Sequence, residues 1–264
     1  MQITNAYPKS EIGRSLRLWE RLRGHSYVCM LYVGAIAGIF AGTQWAELHG
    51  LPAPKVFLAM LLIFPTALAG ARLLFVALHW SAFRRHRARI WSTSEGGAAL
   101  YGGLIFSFLT SLPLLWAMRL PLGAFWDAVA IALLVGMVFT RTGCALQGCC
   151  AGRPSQTWLA FRMPDVNGVW RRRLPFPLFE AGVAAVTLAV CIRHLGKSSG
   201  GFLFLGALAM YASGRWLLEP TREKMDRVRG WSVHRIISAL LVALAITGFL
   251  LIWTMENAAK TAAH

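Results

Sequence analysis

Seven apolar runs, each close to the length of a bilayer crossing, dominate this chain: residues 27–46, 56–78, 97–118, 122–140, 177–192, 200–218 and 233–253. A helix rises about 1.5 Å per residue, so about 20 residues cross the hydrocarbon layer. Lipid offers no water to backbone N–H and C=O groups, so a crossing segment must satisfy them within itself. Charged residues are only 14% of the chain, where a soluble domain carries about a quarter, and the mean hydropathy is +0.53. The expected fold is all-α: a polytopic membrane protein of about seven transmembrane helices, a single transmembrane domain over residues 1–264. No cleavable leader is expected, because the first apolar run follows 25 mostly polar residues and is long enough to span.

The remaining segments are basic. In residues 1–25, Ile12, Leu16, Trp19 and Leu22 recur at helical steps between Arg14, Arg17, Arg21 and Arg23. That pattern suits a helix lying on the membrane surface, or a disordered basic tail. Residues 141–176 form the longest non-apolar stretch and are expected to make a small extramembrane head. The net charge of +16 flanks the apolar runs, a placement that fits anionic membrane lipids and argues against nucleic acid. By the positive-inside rule this distribution puts the amino terminus and the 141–176 head in the cytoplasm. Five cysteines match neither a disulfide framework nor a common zinc pattern. Cys29 and Cys191 read as apolar fillers, while Cys144, Cys149 and Cys150 cluster.

Within the apolar runs a few polar residues stand out, because ionisable groups at membrane depth are expensive and tend to mark sites. Tyr211, Arg215 and Glu219 step by four residues and share a helical face. Arg72, Tyr101, Asp127 and Glu180 lie in other runs, and Arg141 opens RTGCALQGCCAGR. A guanidinium is always charged, and its planar fork matches a phosphate. At a membrane interface a phospholipid headgroup is a common bearer of that phosphate. Each residue also has a plainer structural reading. Arg72 can pair with a helix-terminal carbonyl or with Glu180, Arg215 and Glu219 can be a structural ion pair, and Tyr101 can be a packing aromatic. Asp127 reads as a helix-start residue near the interface. The glycines of GGAALYGG and RTGCALQGCCAG can pack helices closely or let main-chain N–H groups reach an anion.

Taken together and in order, GARLLF around Arg72, GGAALYGGLI, RTGCALQGCCAGR, PFPLFEA around Glu180 and YASGRWLLEPTR resemble the prolipoprotein diacylglyceryl transferase family. The resemblance implies a seven-helix enzyme of the bacterial plasma (inner) membrane, with no metal and no cofactor. It would take phosphatidylglycerol, transfer the diacylglyceryl group to a lipoprotein precursor cysteine and release glycerol phosphate. Carried over by position, Tyr101, Arg141, Arg215 and Glu219 are the catalytic candidates, with the two arginines on the phosphate and Glu219 orienting Arg215. Arg72, Gly102, Gly103, Gly143, Gly148, Gly152, Glu180 and Tyr211 are the substrate-binding candidates.

This chain departs from the family pattern at three places. Tyr101 stands where the family usually has a histidine, Cys144 where it has asparagine, and Cys149 where it has an acidic residue. These departures put the acceptor in question more than the donor, and keep a different acceptor or lipid as an alternative. A non-catalytic protein that binds or transports anionic lipid is the reading from another class. The family also places the head on the outer face, against the charge count. The family orientation is preferred, because arginines that bind substrate bias such a count.

Overall fold

The computed structural model describes residues 12–78, 80–84, 100–148, 150, 152–164, 170–195, 200–222, 227–228 and 231–262. Eight α-helices are described: α1 (Ile12–Leu48), α2 (Ala53–Leu78), the short α3 (Trp80–Phe83), α4 (Leu100–Met118), α5 (Leu122–Gln147), α6 (Phe176–Leu195), α7 (Phe202–Leu218) and α8 (Val233–Ala262). Two short antiparallel pairs accompany them: β1 (Phe161–Pro164) with β2 (Trp170–Arg173), and β3 (Arg227–Val228) with β4 (Trp231–Ser232). Every expected apolar run is a helix. Five have the length and composition to cross a membrane: Ser26–Leu48, Ala53–Ala77, Leu122–Gln147, Phe176–Leu195 and His234–Met255. The apolar part of α4, Gly102–Met118, and the 17-residue α7 are shorter.

The turns follow from their residues. α1 ends where Gly50 takes φ +76°, with Gly50 N donating to Glu47 O and Leu51 N to Ala46 O. A left-handed glycine closes a helix at little steric cost. α5 begins after Pro121, whose fixed φ suits a first turn and whose missing N–H would be unsatisfied there anyway; Phe125 N donates to Pro121 O at 3.0 Å.

The chain forms two compact units. The first comprises residues 1–38, 132–196 and 205–264; the second comprises residues 39–131 and 197–204. In the first, small residues bring α1 against α5. A Cβ on Gly34 would meet Gly136 O at 2.9 Å, and one on Gly143 would meet Met30 Cβ at 2.6 Å. In the second, α2 and α4 pack along a similar seam. A Cβ on Gly102 would collide with Gly70 O, and one on Gly103 would come within 3.0 Å of Ala67 O. Lipid tails are as apolar as leucine, so such helices gain from close van der Waals approach rather than from escaping water.

Asp127 is not the first residue of its helix. It lies one turn into α5, fully buried, and its carboxylate accepts from Gly201 N at 2.9 Å and Phe204 N at 2.8 Å. It therefore caps the amino-terminal end of α7, where backbone N–H groups lack intrahelical partners and the helix dipole favours an anion.

Two boundaries differ from the sequence reading. α5 does not stop at residue 140 but runs to Gln147, so the head begins at Gly148 and Arg141 is helical. The Thr142 hydroxyl donates to Val138 O within the added turns, and Gly148 closes the helix with φ +81°. α1 is continuous from Ile12, so described residues of the 1–25 lead-in belong to it; residues 1–11 lie outside the described set.

Candidate active site

Four charged side chains from three helix ends of the first unit meet on two buried carboxylates. Arg141 comes from the last turns of α5, Glu180 from the start of α6, Arg215 from the last turn of α7, and Glu219 from just beyond it. Arg141 Nε lies 3.1 Å from Glu180 Oε2, and Arg215 Nε lies 2.9 Å from Glu180 Oε1. Arg215 also donates from Nη1 to Glu219 Oε2 at 2.7 Å. The side chains of Glu180 and Glu219 are 1% and 0% exposed, against 21% for Arg141 and 11% for Arg215. One glutamate thus bridges two arginines, and the second glutamate holds one of them from another side.

The supporting residues fix this geometry. Phe176 and Glu180 are four apart on α6, and the Phe176 ring lies under the Arg215 guanidinium at 5.0 Å. The other oxygen of Glu219, Oε1, accepts from Ser232 Oγ at 2.8 Å; Ser232 is delivered by the β3–β4 pair. Glu219 is not the last residue of the α7 stripe. α7 ends at Leu218 and Glu219 opens a 3-10 turn, Glu219–Thr221, because Pro220 disfavours helical geometry in the residue before it. The four-residue pairing with Arg215 survives that break. Arg222 follows, paired by a backbone bridge to Gly152 and numbered among the charged neighbours of Glu180.

Tyr211, one turn before Arg215, has Arg141, Glu180 and Arg215 as its charged neighbours. Its hydroxyl is buried and faces the Arg141 guanidinium. Arg141 Nε and both Glu180 oxygens are near enough for ion pairing without the alignment of hydrogen bonds. Their hold on one another is chiefly Coulombic, which leaves donor capacity on the guanidiniums of Arg141 and Arg215, with Arg222 as a further positive neighbour of Glu180. An environment of this kind can accept one further anion.

A sequence profile described as Prolipoprotein diacylglyceryl transferase matches residues 16–253 of this chain. The chain belongs to the prolipoprotein diacylglyceryl transferase family. It is a multi-pass membrane transferase. Similar relatives include proteins named phosphatidylglycerol–prolipoprotein diacylglyceryl transferase from Streptococcus pyogenes serotypes M5 (strain Manfredo), M49 (strain NZ131) and M1. Each is 27% identical over 228 residues, covering 84% of this chain and 88% of its own length.

The remaining candidate residues divide between the two units. Gly143, Gly148 and Gly152 lie in the first. Gly143 seats α5 against α1, Gly148 closes α5, and Gly152 donates from its N–H to Leu174 O where a Cβ would meet that oxygen at 2.5 Å. Arg72, Gly102 and Gly103 lie in the second unit, the glycines in the α2–α4 seam. The Arg72 guanidinium is 5.7 Å from the Phe75 ring centroid and 5.5 Å from that of Phe83. Glu180, offered to Arg72 by the sequence, is engaged by Arg141 and Arg215 instead. Tyr101 lies in α4, and its side chain is outside the described set, as is Cys149.

Cys144 is buried in α5, and Cys150 is half-buried with φ +58° and numbered among the neighbours of Arg141. Phe176 and Ser232 are the positions that sequence reasoning missed. Phe176 was accessible from its four-residue spacing to Glu180; Ser232 carries no signal of its own.

Proposed function

We propose that this chain takes phosphatidylglycerol from the bacterial plasma membrane and transfers its diacylglyceryl group to a cysteine thiol of a lipoprotein precursor. The observation that carries this reading is the meeting of Arg141 and Arg215 on Glu180. In the transfer, a sulfur–carbon bond forms at the glycerol carbon bearing the phosphate, the carbon–oxygen bond to phosphate breaks, and glycerol phosphate leaves. The departing phosphate passes from a diester to a monoester and gains negative charge. Fixed guanidiniums in a water-poor site favour that change more than they favour ground-state binding, which is what accelerates a reaction.

In this reading Arg141 and Arg215 grip the phosphate, and Glu180 sets their separation. Glu219, itself held by Ser232, fixes the Arg215 fork. Tyr211 offers its hydroxyl to a headgroup oxygen. Gly143, Gly148 and Gly152 keep α5 and the head in register, while Arg72, Gly102 and Gly103 belong to the substrate-binding set through the α2–α4 framework. Tyr101 relays the thiol proton, passing its own proton on as it accepts another, since a neutral phenol is a poor base. Seven membrane crossings, with the head on the outer face, complete the arrangement.

The test uses purified protein with radiolabelled phosphatidylglycerol and a lipobox peptide. Label on the peptide that disappears in Arg141→Ala and Arg215→Ala is the expected result. Consumption of lipid with an unlabelled peptide would move the acceptor elsewhere, and binding without turnover of any phospholipid would remove the enzymatic reading.

A further inference from the structure

The head has a second surface that the arginine–glutamate cluster does not use. Strands β1 and β2 pair Arg162 with Arg172 and Pro164 with Trp170, and directly opposed residues share a face. Met163 and Arg173 are buried. The turn before β1 is braced: Ala160 N donates to Thr157 O at 3.0 Å, and the Arg172 guanidinium donates to Thr157 O at 3.3 Å and Ala160 O at 3.2 Å. At its tip Trp158 is 84% exposed, with Trp170 at 56%, Phe161 at 57% and Leu159 at 37%. Arg162 and Arg172 are exposed on the face that carries Trp170, whereas Phe161 and Arg171 alternate onto the face of Met163 and Arg173. Between Arg141 and Phe176 the sequence has one acidic residue, Asp165.

These aromatics lie outside the apolar spans, so hydrocarbon contact of the kind that covers a span's outer face does not account for them. Their turn is rigidly fixed to β2, which ends three residues before α6 begins. Arg172 precedes the first residue of α6 by four, so at roughly 3.3 Å per strand residue its Cα lies within about 13 Å of the start of that helix, and its side chain reaches the turn from there. An exposed tryptophan in a head that joins directly to a span suits the headgroup layer, where tryptophan is enriched because one end of its ring system is apolar and the other wet.

We propose that the braced Trp158 turn and the exposed face of the β1–β2 pair form an interfacial anchor that docks onto anionic phospholipid headgroups. The leaflet is the one from which α5 and α6 emerge. The aromatics enter the interface and the arginines pair with lipid phosphates. The occupant is the lipid, because exposed aromatics interleaved with arginines match a headgroup layer that is anionic outside and apolar beneath. The proposal stands whether or not the transfer reaction does, since neither the surface nor its test involves turnover.

The experiment places an amino acid carrying a dansyl group at position 158 by codon reassignment, in full-length protein in sealed vesicles. Folding is checked by thermal melting. Nitroxide lipids labelled at the headgroup or upper chain should quench the probe by more than half in phosphatidylglycerol-containing vesicles, with aqueous iodide quenching it weakly. In phosphatidylcholine vesicles, or with Arg162→Glu, lipid quenching should fall at least twofold. Strong iodide quenching with no lipid quenching would overturn the proposal. Equal lipid quenching in both vesicle types would overturn the anionic-lipid assignment. Protection from iodide that appears only when a lipobox peptide is added would make this a peptide-docking surface instead.

Discussion

The charged cluster of the first unit and the glycine seam of the second both come from short motifs that are equally conspicuous in the sequence, yet they rest on opposite physics. Around Glu180 the helices are held by long side chains and unlike charges, with Arg141 and Arg215 converging on one carboxylate. Between α2 and α4 the bare glycines decide the spacing: Gly70 and Gly102 bring backbone to backbone, with the Phe106 and Leu74 side chains packed against them. The first arrangement places excess cationic donors where an anion can use them. The second gains only van der Waals contact, and any added atom is a loss. A motif shared with a family can therefore act through the charge it presents or through the volume it leaves out. Substitutions should separate the two.

The largest effect is expected at Arg215. Arg215→Ala leaves Glu180 short of one partner and Glu219 without the arginine it pairs with, which costs about 3–5 kcal/mol in a buried ion pair. It should also lower label transfer at least about 100-fold, as losing a preorganised charge donor does. Arg215→Lys retains charge but not the fork; good expression with strongly reduced transfer would show that the fork is what matters. Next comes Glu180→Gln, which preserves shape and removes the charge that spaces the two arginines. A fall of roughly 10–100-fold in kcat/KM is expected, because misplacement of about 1 Å can cost 100-fold. Full activity would return Glu180 to a purely structural role.

At the seam, Gly102→Ala should behave differently. Overpacking there costs about 1–3 kcal/mol, so the melting temperature should drop while the specific activity of the folded fraction changes less than about twofold. A variant with normal melting and lost transfer would make Gly102 a site residue rather than a packing one. Stability losses no larger than that are expected from Asp127→Asn and Ser232→Ala. Ser232→Ala removes one hydrogen bond, at about 1 kcal/mol, and Asp127→Asn turns one of two accepting oxygens into an amide that faces a backbone N–H, at about 1–3 kcal/mol. Ser232→Ala alone should also reduce transfer, by a few-fold, because it loosens Glu219; thermal melting and the labelling assay in parallel check both.

The helices were legible because a span must be apolar over its whole length, a property visible in one dimension. Arg141 and Arg215 were legible because a guanidinium at membrane depth is costly enough to demand a reason. What was not legible is partner choice. Glu180 could be offered to Arg72 on sequence grounds, but only the folded α5, α6 and α7 ends decide that Arg141 and Arg215 take it. The capping role of Asp127 was hidden because its partners, Gly201 N and Phe204 N, lie more than 70 residues away in sequence. The break at Glu219 was readable from Pro220, and the end of α5 at Gly148 from the glycine itself. A hydroxyl such as that of Ser232, common and cheap to expose, leaves no such mark.

A double-mutant cycle on phosphatidylglycerol turnover, with Arg141→Lys, Arg215→Lys and the pair, tests most directly whether two arginines share one phosphate. Residues acting on one group are strongly coupled, by about 0.5–3 kcal/mol. The second substitution should therefore cost much less than it does alone. Strictly additive losses in kcat/KM would mean that the two guanidiniums act on separate groups, and would contradict the shared grip.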